Sequence, residues 1–119
     1  MQDFRGLKVW QKSHELTLAV YRSTERFPKH ELYGITNQMR RAAASVPANI
    51  AEGCCRSGDV EFARFLQIAM GSASELDYHC LLARDLELLG SETYDRLAGD
   101  VTEVKRMLAS LIGKLRAKR

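Results

Sequence analysis

The sequence predicts an all-α fold: an antiparallel up-down-up-down four-helix bundle that uses residues 1–119 as one domain. Three observations carry that prediction. Apolar residues recur at helical spacing in four stretches, and no stretch alternates with the period of a strand. Pro28, the CCRSG run at 54–58 and Gly90 then divide the chain into long helices with short connections, which makes consecutive helices antiparallel neighbours.

The first helix is predicted over about 7–27, with Val9, Leu16, Ala19, Val20, Ser23 and Phe27 on one face and Pro28 as its stop. The second is predicted from about Glu31 to Gly53, with Gly53 as its C-terminal cap. It is a thin helix with two apolar lines. Met39, Ala42, Ala43, Val46 and Ile50 form one; Ala44, Ala48 and Ala51 form another on a different face. A bundle helix ordinarily has a single apolar stripe. Pro47 lies inside it, removing one N–H and crowding the Ala43 carbonyl, at a cost of about 3 kcal/mol in a straight helix. A kink is therefore expected, with Asn49 or Ser45 satisfying the freed carbonyl.

The third helix is predicted to be capped by Asp59 and ended by Gly90. Its core stripe is Phe62, Phe65, Leu66, Ala69, Ala73, Leu76, Cys80 and Ala83, with a second line at Ile68, Ser72, Glu75, His79 and Leu82. Antiparallel pairing through the 54–58 turn sets Gly71 and Ser72 against the alanine stretch and Glu75 within a turn of Arg40 and Arg41. A close contact at Gly71 and an Arg–Glu75 ion pair are expected, since a poorly solvated carboxylate needs a partner. The fourth helix opens at Ser91, Glu92 and Thr93. Its stripe of Tyr94, Leu97, Val101, Val104, Leu108, Leu111 and Leu115 steps by threes and fours.

Composition narrows the function classes. With 45% hydrophobic and 28% charged residues, 119 residues build one ordinary globular core. A net charge of +3 is a mild tilt toward acidic partners. The three cysteines include the adjacent pair Cys54 and Cys55, which suggests no disulfide framework. The N-terminal MQDFRGLKVWQK has no signal-peptide core, and no apolar run approaches the roughly 18 residues a membrane span needs. A cytoplasmic protein without membrane contact is expected.

No catalytic or metal-binding pattern stands out. The chain has no Glu-x-x-His, no Cys-x-x-Cys, no Ser-His-Asp constellation and no phosphate-cradling glycine loop. His14 with Glu15 and His79 with Cys80 are adjacent pairs, whose side chains point about 100° apart on a helix. No metal, cofactor or enzymatic activity is expected. Asn49, Glu52 and Glu75 read as a hydrogen-bonded network that fixes subunit register. The basic residues are the better lead: Lys105, Arg106, Lys114, Arg116, Lys118 and Arg119, joined by Lys8 and Lys12 of the first helix. No aromatic platform for single strands stands out beside them.

The runs ELYGITNQMRRAAASVPANIAEGCCR and FARFLQIAMGSASELDYH, and most of the chain around them, resemble the four-helix-bundle proteins of the 23S rRNA intervening-sequence type. The resemblance implies a homopentamer of bundles around a central axis, with family motif positions at Arg41, Pro47, Asn49, Glu52, Gly53, Arg56, Phe65, Gly71, Ser72 and Glu75. It also implies kinship with the accessory protein of diversity-generating retroelements, which binds nucleic acid through a basic surface and partners a reverse transcriptase. No enzymatic activity is established for the family. The expectation is a non-catalytic, self-associating adaptor for RNA or DNA, or for a nucleic-acid-processing protein. The alternative is a protein-interaction module without nucleic-acid contact.

Overall fold

Four helices, α1 (Lys8–Thr24), α2 (Asn37–Cys54), α3 (Gly58–Asp85) and α4 (Ser91–Ala117), account for most of a computed structural model that describes residues 2–118. Each helix packs on its neighbours in chain order, and α4 closes the ring against α1. The α2–α3 interface is the most extensive, as thin helices allow. The bundle measures 47 × 22 × 20 Å.

The core follows the predicted stripes with instructive departures. Leu16, Val20, Met39, Val46, Ile50, Leu66, Leu76, Val101, Val104 and Leu108 are fully buried. On α4 the stripe steps by four after Leu108, so Ile112 is buried while Leu111 and Tyr94 are half-buried. A straight helix drifts from a strict heptad in this sense. On α1, Ala19 and Ser23 are only half-buried, and the inward positions are Ser13, Thr17 and Thr24. These three hydroxyls are not wasted in the core. Ser13 Oγ donates to the Trp10 carbonyl at 2.9 Å and Thr24 Oγ1 to the Val20 carbonyl at 2.9 Å.

Thr17 accounts for the proline. Its Oγ1 lies 2.8 Å from the Ser13 carbonyl and 3.0 Å from the Ala43 carbonyl of α2. Ala43 is the residue whose carbonyl loses its partner because Pro47 has no N–H. The freed acceptor is thus satisfied from the neighbouring helix, not by Asn49 or Ser45. The Asn49 amide instead donates to the Ser45 carbonyl (2.8 Å) and to Ser45 Oγ (3.0 Å). α2 runs unbroken through a buried Pro47.

Element ends differ from the predicted ones. α2 begins at Asn37, not Glu31, because one tighter and one wider turn come first: Lys29–Glu31 and Leu32–Thr36, with non-helical backbone at Gly34 (φ −111°, ψ −118°). Gly53 is no cap. It lies buried inside α2, where an added Cβ would stand 2.9 Å from Phe62 Cδ1 and 3.0 Å from Phe65 Cβ. Asp59 does not cap α3 either; Ser57 holds the cap position, and Asp59 and Glu61 place negative charge in the first turn. α3 ends at Asp85, before Gly90. Glu87 takes a left-handed φ of 63°, the Leu88 N–H donates to the Ala83 carbonyl at 2.8 Å, and the Glu87 N–H donates to the Arg84 carbonyl at 2.9 Å. This is a Schellman ending built on a glutamate. Gly90 is the residue before α4.

Two substitutions test these endings by urea denaturation. Gly53→Ala is expected to destabilise by about 1–3 kcal/mol, because the new methyl meets the buried Phe62 ring and the Phe65 Cβ and one of them must shift. Glu87→Gly is expected to stabilise by about 1 kcal/mol, since glycine adopts the left-handed conformation without steric cost.

Candidate functional site

Two surfaces gather the polar and charged residues singled out in the sequence. The first is the outer face of α2 and α3. A cavity of about 450 Å³ opens there, lined by Tyr33, Asn37, Gln38, Arg41, Ser45, Ser72 and Glu75. The Ser45 and Ser72 hydroxyls are hydrogen-bonded at 2.9 Å and join the two helices. Ser72 thus faces the alanine stretch of α2, at Ser45. Gly71, one position and about 100° around the helix from Ser72, points outward; no atom lies within 4 Å of where its Cβ would be, so the expected close contact at Gly71 is absent.

The expected Arg–Glu75 pair is absent too. Glu75 is 60% exposed, and its Oε2 lies 3.3 Å from His79 Nε2. A carboxylate this open to water needs no arginine. Arg40 turns the other way: its Nε donates to Thr24 Oγ1 at 2.9 Å, and its guanidinium lies 4.8 Å over the Tyr21 ring. Arg41 is exposed and joins no ion pair among the described residues. Glu52 pairs with Arg56 at 2.8 Å, and Arg56 leans over Phe65, 5.1 Å from the ring centre. The second alanine line faces outward, with Ala48 exposed and Ala44 and Ala51 half-buried; Ile68 of α3 is 41% exposed beside this face.

The second surface is the groove between α1 and α4. Near its lower end a cleft of about 240 Å³ has Leu7, Val9, Met107 and Leu111 in its walls and Lys8, Arg106 and Lys114 around it. Arg106 Nη2 donates to Glu103 Oε1 at 2.6 Å, so part of its charge is neutralised locally. That hydrogen bond, with the arginine's charge, holds the Glu103 carboxyl below its ordinary range. Lys8 and Lys114 have no carboxylate partner among the described residues. Further along, Lys12 pairs with Asp100 at 3.2 Å, and Arg22 and Arg96 flank a second cleft of about 230 Å³. From Lys8 to Arg22 the groove runs roughly 21 Å along α1.

The predicted tail cluster is thereby divided. Arg106 and Lys114 face α1, and Lys118, one turn beyond Lys114, follows the same flank. Arg116 instead lines the α3–α4 groove with Asp59, Val60 and Arg64, and Lys105, eleven positions earlier, shares its flank. Arg119 lies outside the described residues.

The family model for the 23S rRNA-intervening sequence protein matches residues 5–110. The chain belongs to that family. A crystal structure of a protein with unknown function from the S23 ribosomal protein family of Bacteroides thetaiotaomicron VPI-5482 has the same fold, with a TM-score of 0.79 and 27% identity. The match covers 87% of this chain and 97% of that one. No curated protein matches.

In this member of the 23S rRNA-intervening sequence family, Cys54, Cys55 and Cys80 are free thiols. Burial pushes the Cys54 thiol up, and pushes Cys80 up to about 12, so neither supplies a thiolate near neutral pH. No helix among the described residues is long and apolar enough to cross a membrane. Arg22 and Arg96 were not legible as groove residues: one lies in each of two amphipathic helices, and only the α1–α4 packing brings them together. Arg40 is the charged residue most committed to structure. Arg40→Lys keeps the charge but gives up the stacking on Tyr21 and the guanidinium fork, with an expected cost of about 1 kcal/mol in thermal or urea unfolding.

Proposed function

We propose that this family member is a non-catalytic, ring-forming adaptor that binds nucleic acid, RNA foremost, through the cations of its α1–α4 groove. The observation that carries the reading is the convergence of Lys8, Arg106 and Lys114 on one cleft, two of them without a carboxylate partner among the described residues. One chain presents few such charges. Copies arranged in a ring add their charges along one phosphate backbone, and each neutralised phosphate releases counterions. The outward alanine line of α2 with Ile68 supports self-association, because a neighbouring copy in a cyclic assembly hides such a face without leaving a free end. The pentamer of related bundles is the expected ring.

Filter binding of RNA across a salt series tests the nucleic-acid part. Affinity is expected to fall steeply with salt, and Lys8→Glu with Lys114→Glu is expected to flatten the slope by roughly 0.7–0.9 for each phosphate no longer neutralised. No measurable affinity at low salt overturns the reading.

A second reading has its own observation. Tyr33 is 92% exposed at the mouth of the α2–α3 cavity, and Tyr78 and Val60 are also exposed on α3. Aromatic groups held in water are common protein-docking anchors, which favours a protein-interaction module, with a nucleic-acid-processing protein as the partner. A pull-down that survives nuclease and survives the Lys8→Glu, Lys114→Glu substitutions selects this reading over the first.

A further inference from the structure

The N-terminal end of α1 carries a stack of rings that runs from the edge of the bundle core out to His14. Trp10 and His14 are four apart on the helix, so their rings overlie one another: centroids are 4.9 Å apart and the planes differ by 9°. The short Phe4–Gly6 turn folds back so that Phe4 meets Trp10 edge-on at 4.9 Å. The Arg5 guanidinium lies 4.4 Å over the Phe4 ring. Phe4 and Trp10 are half-buried and packed against the core, whereas His14 is exposed. The stack is rooted at one end and open to water at the other.

Its place on α1 matters. Lys8 and Lys12 are also four apart, but offset by two positions from Trp10 and His14, which puts them on the opposite flank of α1 at the same height. The two flanks are separated by about the width of a helix, roughly 10–12 Å. A strand crossing α1 here can rest phosphates on Lys8 and Lys114 and reach over the helix to His14 with a base. A perfect duplex keeps its bases stacked inside and offers His14 none.

Resting on the nucleic-acid reading above, we infer that the Trp10–His14 stack receives an unpaired nucleobase, so that the nucleic acid gripped at this end of the bundle is single-stranded or carries an unpaired base. Stacking on an aromatic side chain suits any base, and adds affinity without reading sequence. The cationic groove and the ring stack then divide the work: one holds the backbone, the other distinguishes unpaired from paired nucleic acid.

The test compares a labelled oligouridylate with a perfectly paired RNA duplex of equal length, each titrated with the full-length protein and followed by anisotropy. His14→Ala is expected to weaken oligouridylate binding about tenfold and leave duplex binding unchanged; His14→Phe is expected to restore it. His14 is exposed, so neither change threatens the fold. Trp10 is the only tryptophan, and its emission is expected to change with oligouridylate and not with duplex. If His14→Ala leaves oligouridylate binding intact and Trp10 emission does not respond, while Lys114→Glu weakens both probes, the stack has no part in binding and the backbone reading survives. If neither probe binds at low salt, both fall together.

Discussion

The bond from Thr17 Oγ1 to the Ala43 carbonyl is the constraint on which the rest of the bundle depends. A proline in mid-helix leaves an acceptor without a partner, and burying such an acceptor costs on the order of 1–3 kcal/mol. Placing the donor on α1 removes that penalty only if α1 and α2 lie close and in fixed register. The small residues of α2 permit the approach, and Pro47 itself is buried in it. The proline therefore acts beyond its own helix. It commits α2 to one partner and one height, and the outward face of alanines, Arg41 and Glu52 is set by that commitment.

From that register follow the two surfaces of interest. On the α3 side the helices are locked by Gly53 seated against Phe62 and Phe65 and by the Ser45–Ser72 bond, which leaves Arg41 and Glu75 facing water instead of each other. On the other side α1 presents two flanks: lysines toward α4, and Tyr21, the partner of Arg40, toward α2. Carboxylates are interleaved with the cations of the groove. Glu103 and Asp100 each take one, so the cations left without a carboxylate partner among the described residues are Lys8 and Lys114 at one cleft and Arg22 and Arg96 at the other. The amount of positive charge in the C-terminal sequence overstates what any one face presents.

Four helices, their antiparallel order and most of the core were legible in the sequence because each rests on periodicity, which a single helix displays by itself. The departures have a common cause. Thr17 as Pro47's partner, the outward turn of Gly71, the choice of His79 over an arginine by Glu75, and the split of Lys105 and Arg116 from Lys114 are all matters of rotation and register between helices. A shift of one residue rotates a side chain by about 100°, enough to convert an opposed pair into an unrelated one. The buried hydroxyls of α1 escape a stripe of apolar residues for a simpler reason: Ser13 and Thr24 donate to carbonyls one turn back, and Thr17 shares its one hydrogen between the Ser13 carbonyl and the Ala43 carbonyl of α2, so all three pack as small core residues. The helix end at Glu87 breaks the rule that glycine marks a left-handed cap. The ring stack was not legible in the sequence, which offered no aromatic platform: it takes the i, i+4 overlap of Trp10 with His14 and the folding back of Phe4 to assemble it.

The dependence of α2 on α1 is open to one direct measurement, a double-mutant cycle of Thr17→Val and Pro47→Ala read by urea denaturation. Alanine at 47 returns an N–H to the Ala43 carbonyl, so in that background the threonine donor is no longer required. Thr17→Val should then cost about 1–2 kcal/mol more with proline present than with alanine. Equal costs in the two backgrounds would contradict it, showing that the proline's orphaned carbonyl is not held by α1.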